Sequence, residues 1–141
     1  MADRALSDLA DTIAKIDICM LSTHTEGGAI AGRPMSNNGE VEYDGDSFYF
    51  TWDQSRMVSD IKADPKVALA FQGDKGFMVA VEGQAELITD KAQFAEHWTS
   101  GLDEWFKDGV DTAGLILIKV HALRAHYWDG EDDGEVTGLK A

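Results

Sequence analysis

Arginine is scarce in this sequence, and two of its four copies stand beside groups that together suit an anion. Arg56 follows Ser55 at the head of SRMVSDIKAD, where Met57, Val58 and Ile61 share a helical face and Pro65 lies just past the end. Ser55 then sits at the N-cap and Arg56 in the first turn. An arginine there opposes the helix dipole, which points to another employment. Free helix N–H groups, a hydroxyl and a guanidinium fork would converge on a phosphate. An exposed ion pair from Arg56 to Asp53 or Asp60 explains the same residues, and the spacing leaves both readings open. The second segment is Arg33-Pro34-Met35-Ser36, set in an extended stretch.

Other chemistry finds less support. The sequence holds no Walker loop, no GxGxxG, no GxSxG elbow and no cysteine pair for zinc. Asp129, Glu131, Asp133 and Gly134 fall at the first, third, fifth and sixth positions of a calcium loop, but Lys140 stands where its glutamate is required. Of the four histidines (His24, His97, His121 and His126), His97 falls in a helix, and His121 and His126 have opposite parity on one strand. Opposite parity sends them to opposite faces, so no metal is expected. Cys19 lies in the apolar run ICML, which predicts a buried, inert thiol.

The net charge is −14 over 141 residues, a surface that repels nucleic acid and anionic membranes. An apolar fraction of 44% supports one packed domain spanning 1–141. The opening MADRALSDLADTIAKID carries charge throughout and has no signal-like apolar stretch, and the lone cysteine cannot form an internal disulfide. These features favour the cytoplasm.

The elements that must position the arginines follow from periodicity. Residues 3–16 place Leu6, Leu9, Ala10, Ile13 and Ile16 at helical spacing. ICMLSTHT from Ile18 and AIAGRPMS from Ala29 read as strands joined at Gly27-Gly28. A loop with Asn37, Asn38 and Gly39 and a turn at Asp44-Gly45 precede the strand SFYFTW. KVALAFQG, FMVAVEGQAELIT and GLILIKVHALRAHYW are further strands, and in the second Phe77, Val79, Val81, Ala85 and Leu87 share one parity. Asp90 with Gln93 resembles a capping box opening a helix that carries Phe94, Trp98, Leu102 and Trp105. The acidic tail from about 130 reads as solvated. Six strands linked mostly by hairpins predict a mainly β fold with flanking helices, closed or half-closed into a small antiparallel barrel.

In order and spacing these pieces resemble the pyridoxamine 5'-phosphate oxidase-like flavoproteins, most closely their short general stress protein branch. The resemblance runs from about Leu9 to Asp129. It rests on MLST before a glycine turn, Arg33-Pro34-Met35, FYFTW, SRMVSDI, Pro65-Lys66-Val67, VEGQAELITD and Tyr127-Trp128-Asp129. It implies a six-stranded split β-barrel that forms a homodimer with FMN at the interface. Arg33, Ser55 and Arg56 would then meet the FMN phosphate. Pro34, Met35, Phe50, Thr51 and Trp52 would line the isoalloxazine. Trp105 and Trp128 would either contact flavin across the dimer or pack in the barrel ends. Many members carry lysine where this chain has Arg56.

The family's longer enzymes use a basic C-terminal extension for their substrate's phosphate, whereas this chain ends in the acidic GEDDGEVTGLKA. The resemblance therefore implies an FMN-dependent oxidoreductase of another small molecule rather than a pyridoxamine phosphate oxidase. A non-catalytic FMN-binding stress protein is the alternative. A deazaflavin- or haem-binding protein of the same barrel class is a second.

Overall fold

The computed structural model describes residues 2–37 and 42–140. The expected turn residues Asn38 and Gly39 lie outside them. In chain order the elements are β1 (Arg4–Ala5), α1 (Leu6–Ala14), β2 (Ile18–His24), β3 (Ile30–Ser36), β4 (Asp46–Trp52), α2 (Arg56–Ala63), β5 (Lys66–Gln72), β6 (Met78–Ile88), α3 (Lys91–His97), β7 (Leu115–Asp129) and β8 (Asp132–Thr137). Short 3-10 turns occur at Glu26–Gly28, Ser100–Glu104 and Gly109–Asp111.

The strands follow the order β1-β8-β7-β6-β5-β2-β3, with β4 paired to β7. All long neighbours are antiparallel; only the two-residue β1 runs parallel, to β8. Strand β7 is the spine. Its first half pairs with β4 and β6, and its second half with β6 and β8. The sheet curls without closing, so β3 and β4 each keep an edge with no strand partner among the described residues. This is the split barrel, and the gap between those two edges is its split.

Alternation explains most of the core. In β6, Val79, Val81 and Ala85 are buried while Met78, Ala80 and Glu82 face out. Leu6, Leu9, Ala10 and Ile13 of α1 pack over the barrel interior, and the Asn37 amide donates to the carbonyls of Ile13 and Ile16 at 2.8 Å each, satisfying the end of that helix. Gly27 and Gly28 take φ of 85° and 83° in the β2–β3 turn, a conformation that side chains resist. A second, smaller cluster of Ile88, Phe94, Phe106, Leu115 and Leu117 sits outside the barrel, between β4, β7 and α3.

Four expectations need correction. The acidic tail is not merely solvated: residues Asp132–Thr137 form β8 against β7. Gly134 and Val136 face in, while Asp132 pairs with Arg4 (2.6 Å), Asp133 with His126 (2.7 Å) and Glu135 with Arg124 (2.8 Å). With β1, this brings the strand count from six to eight. The opening helix is shorter than residues 3–16, because Arg4–Ala5 extends to meet β8. The tryptophan-bearing helix stops at Trp98, whose ψ of 136° turns the chain extended before Thr99, Ser100 and Gly101. Finally, His121 and His126 do not lie on opposite faces. Glu82 pairs with Arg124 and Gly83 with Ala122, leaving Leu123 as a bulge that resets the alternation. Both histidines therefore face outward, each with its own carboxylate partner: Asp46 for His121, Asp133 for His126.

Candidate functional site

A cleft of about 530 Å³ occupies the split, with Pro34 and Met35 from β3 on one side and Phe50, Thr51 and Trp52 from β4 on the other. Trp105, Leu102 and Phe106, which follow α3, close its outer wall. This volume lies within the range of sites for cofactor-sized ligands, which are mostly apolar and carry a few polar groups. The backbone groups of the two strand edges supply donors and acceptors that no neighbouring strand consumes. Pro34 contributes no N–H, as suits an edge strand.

The aromatic wall is braced from behind. Phe50 meets Phe94 edge-on with centroids 5.6 Å apart and Trp98 at 5.0 Å. Trp52 lies 4.9 Å from Phe106. Trp98 is itself tied by its indole N–H to Asp103 at 3.0 Å. Such pairs favour defined ring orientations beyond simple burial.

The chain leaves the cleft at Trp52 and enters α2 within four residues. The Ser55 amide donates to the Trp52 carbonyl at 3.0 Å, and the Ser55 hydroxyl accepts from the Val58 amide at 3.3 Å. Ser55 is thus the N-cap that the sequence predicts. Arg56, the first residue of the helix, is exposed and makes no ion pair among the described residues. The alternative pairing with Asp53 or Asp60 is absent. Asp53 accepts from Gln54 (3.3 Å), and Asp60 accepts from the Thr23 hydroxyl (2.9 Å) and faces Arg33 (3.6 Å).

Arg33 points away from the cleft. Its Nη1 donates to the Thr23 hydroxyl at 2.8 Å and to the Leu21 carbonyl at 3.3 Å, while Nη2 faces the Asp60 carboxylate. Trp105 is not packed into a barrel end but stands 73% exposed at the cleft mouth. Trp128 is 40% exposed, lies outside the cleft on the outer sheet face, and packs 4.5 Å from the His126 ring.

Sequence reasoning overlooked Phe48 and His97. The two rings stack at 3.6 Å with 14° between planes, and both line the cleft. Phe48 shares parity with Phe50 and Trp52, a signal available in the sequence. His97 had none, because its place depends on where α3 ends. Behind this pair a second cavity of about 240 Å³ reaches Tyr43 and Ser47, whose buried hydroxyl oxygens have no hydrogen-bond partner among the described residues. Nearby, the Cys19 thiol lies 3.3 Å from the Tyr49 hydroxyl, and burial pushes both groups up from their ordinary pKa. The thiol is buried, as its apolar neighbours suggested.

The residues present suit FMN in kind. An aromatic cleft with free strand edges fits a flat heteroaromatic ring, and a capped helix start with an uncommitted arginine fits a phosphate. Among the described residues no group of three histidine, cysteine or carboxylate side chains could hold a metal ion, and no helix is long and apolar enough to cross a membrane.

A family model described as pyridoxamine 5'-phosphate oxidase like matches residues 4–141. No match is found among curated proteins. Among solved structures, the chain is similar to a protein related to general stress protein 26 from Clostridium acetobutylicum, with a TM-score of 0.80, 22% identity and 92% of each chain covered. General Stress Protein 26 from Bacillus anthracis gives a TM-score of 0.75 at 19% identity, covering 93% of this chain and 98% of that one. A heme binding protein from Mycobacterium smegmatis gives 0.74 at 17% identity, covering 98% of this chain but 60% of that one. At these identities the likeness shows a shared fold.

Proposed function

The chain belongs to the pyridoxamine 5'-phosphate oxidase-like family, and from that premise we propose that it is a flavoprotein binding FMN in the split between β3 and β4. The observation that carries this reading is the continuity between the aromatic cleft and the start of α2, four residues apart along one chain segment. Pro34, Met35, Phe50, Thr51, Trp52 and Trp105 line the ring site. Ser55, Arg56 and the first amides of α2 hold the phosphate, drawing on the helix terminus and one guanidinium. Arg33, held beside Thr23 and Asp60, adds a second guanidinium toward the phosphate. FMN supplies the redox chemistry when bound. The protein's part is to hold the ring against its aromatic wall and to limit water there.

The functional unit of this reading is a homodimer. The register of β2, β3, β5, β6 and β7 lines up Pro34, Met20, Ala70 and Ala80 in one row on the outer sheet face, with Ile18, Met78 and Trp128 beside it. Ile18 (46% exposed), Met20 (42%) and Met78 (39%) are large apolar groups facing solvent together, the kind of patch that marks an association surface. A second copy there covers Trp128 and brings it toward the partner's flavin. Light scattering of the purified protein tests this, and a monomer that still holds flavin contradicts it.

Turnover is a separate claim. The protein acts as an FMN-dependent oxidoreductase on a small molecule, with a purely binding role as the alternative. Stopped-flow mixing of the FMN-loaded protein with a reduced nicotinamide separates them, since bleaching of the flavin supports catalysis. One observation favours a second cofactor: the His97 imidazole lines the cleft and accepts no hydrogen bond among the described residues, and a single axial histidine suffices for haem in some proteins. A haem absorption band in the purified protein, in place of a flavin spectrum, would select that reading.

A further inference from the structure

The second cavity, of about 240 Å³, lies behind the Phe48–His97 stack and is smaller than the roughly 300–1,000 Å³ of sites for drug-sized molecules. Its walls are apolar: Ile13 and Ala14 from the end of α1, Phe48 from β4, and Trp98 just past α3. Its depth is polar. Tyr43 and Ser47 are 8% and 7% exposed, both line the cavity, and neither buried hydroxyl oxygen has a hydrogen-bond partner among the described residues. A buried hydroxyl is normally paired, because an unpaired one forfeits the bond it made to water. Two such groups in one cavity call for an occupant that donates and accepts there.

Charge narrows the choice. Glu42, Asp44, Asp46 and Glu96 also line the cavity, and no lysine or arginine does among the described residues. Lys140 answers Asp44 at 2.8 Å and Asp46 at 3.7 Å, and Asp46 also meets His121 at 2.7 Å. Glu42 and Glu96 are exposed and make no ion pair among the described residues. An anion here faces two unanswered carboxylates in a chain of net charge −14, whereas a cation is attracted. We propose that this cavity is a binding site for a small monocyclic amine, with its ring against the apolar walls, a ring hydroxyl on Tyr43 and Ser47, and its ammonium toward Glu42 and Glu96. The site is separate from the cleft, although the two share Phe48, Tyr49 and His97. It does not rest on the FMN reading.

Calorimetric titration of the full-length protein tests this with three probes. Tyramine carries a ring hydroxyl and an ammonium, phenethylamine lacks the hydroxyl, and para-hydroxyphenylacetate replaces the ammonium with a carboxylate. Tyramine binds with a Kd below about 1 mM, phenethylamine about fivefold or more weakly, and the carboxylate at least about tenfold more weakly. Tyr43→Phe combined with Ser47→Ala removes both hydroxyls at little change of shape. Tyramine then falls to the affinity of phenethylamine, which itself stays within about twofold. Glu96→Gln, at an exposed position, weakens both amines by about threefold and keeps their ratio, so the test stands even if the double variant fails to fold. Saturating FMN leaves tyramine affinity within about twofold; in a protein that takes up no FMN, the variants decide. Equal binding of tyramine and para-hydroxyphenylacetate, or tyramine affinity unchanged in both variants, overturns the proposal. Displacement of tyramine by FMN overturns it by placing the amine in the cleft. Absence of tyramine binding up to about 10 mM overturns it too, leaving the hydroxyls to water.

Discussion

Replacing Arg56 by alanine removes the one guanidinium at the start of α2 that no carboxylate occupies among the described residues. Two charges about 4 Å apart attract by about 1 kcal/mol in water and about 4 kcal/mol near a protein surface. A hydrogen bond to a charged group is worth roughly 1.5–3 kcal/mol net, which corresponds to about 10- to 150-fold in affinity. Arg56 is exposed, so the lower half of that range applies and the loss shrinks as salt shortens the screening length below about 10 Å. Titration of FMN into the flavin-free protein at low and high salt measures this, with riboflavin as the phosphate-free control. Arg124→Ala serves as the comparison. It pairs with Glu135 (2.8 Å) and Glu82 (3.9 Å) on the outer sheet face and should leave FMN affinity unchanged. Equal effects of the two substitutions, or an equal loss of riboflavin, would refute the assignment of the phosphate end.

The remaining predictions concern the frame. Gly134→Ala forces a Cβ to within 2.5 Å of the Ala2 carbonyl oxygen, so it should cost about 1–3 kcal/mol and lower Tm by several degrees in a thermal melt; an unchanged Tm would mean that β8 does not dock as described. His126 has its pKa raised, first by the hydrogen bond to Asp133 and then by Glu135. A raised folded value means that its stabilisation is complete below the unfolded value, about 6.5, and fades as pH climbs through the folded one. Wild type should therefore lose Tm relative to His126→Gln between about pH 6 and 8, and parallel curves would contradict this. Cys19 is 1% exposed with its pKa raised by burial. A thiol reagent should leave it untouched in the native protein and label it once the chain is unfolded, so labelling at comparable rates in both states would be the failing result.

Much of the frame was legible because local rules and tertiary context agree. The alternation in β6, the Gly27-Gly28 turn and the Ser55 cap each follow from residue types whose preferences the fold does not override. β8 was hidden by its own composition. Asp132, Asp133 and Glu135 read as solvated acid, and only the approach of Arg4 from the far end of the chain and the facing His126 and Arg124 of β7 turn them into a paired strand. The bulge at Leu123 was equally silent, since nothing local announces which residue a partner strand will skip. α3 fails at Trp98 because the ring turns to pack against Phe50 and Phe106, a tertiary preference stronger than helical periodicity. For the site, sequence order placed Phe50, Thr51, Trp52, Ser55 and Arg56 on one continuous segment. Residue patterning alone does not give the split, which came from the family resemblance and depends on β3 and β4 not pairing, nor the Arg33–Asp60 contact, which joins residues far apart in the chain.

The central claim is that the split between β3 and β4 holds FMN. The most direct measurement is the visible spectrum of the freshly purified protein, followed by mass analysis of whatever is released on denaturation. The account predicts a yellow protein that releases FMN, close to one per chain. A colourless protein that takes up no added FMN, or one that releases haem instead, would contradict it.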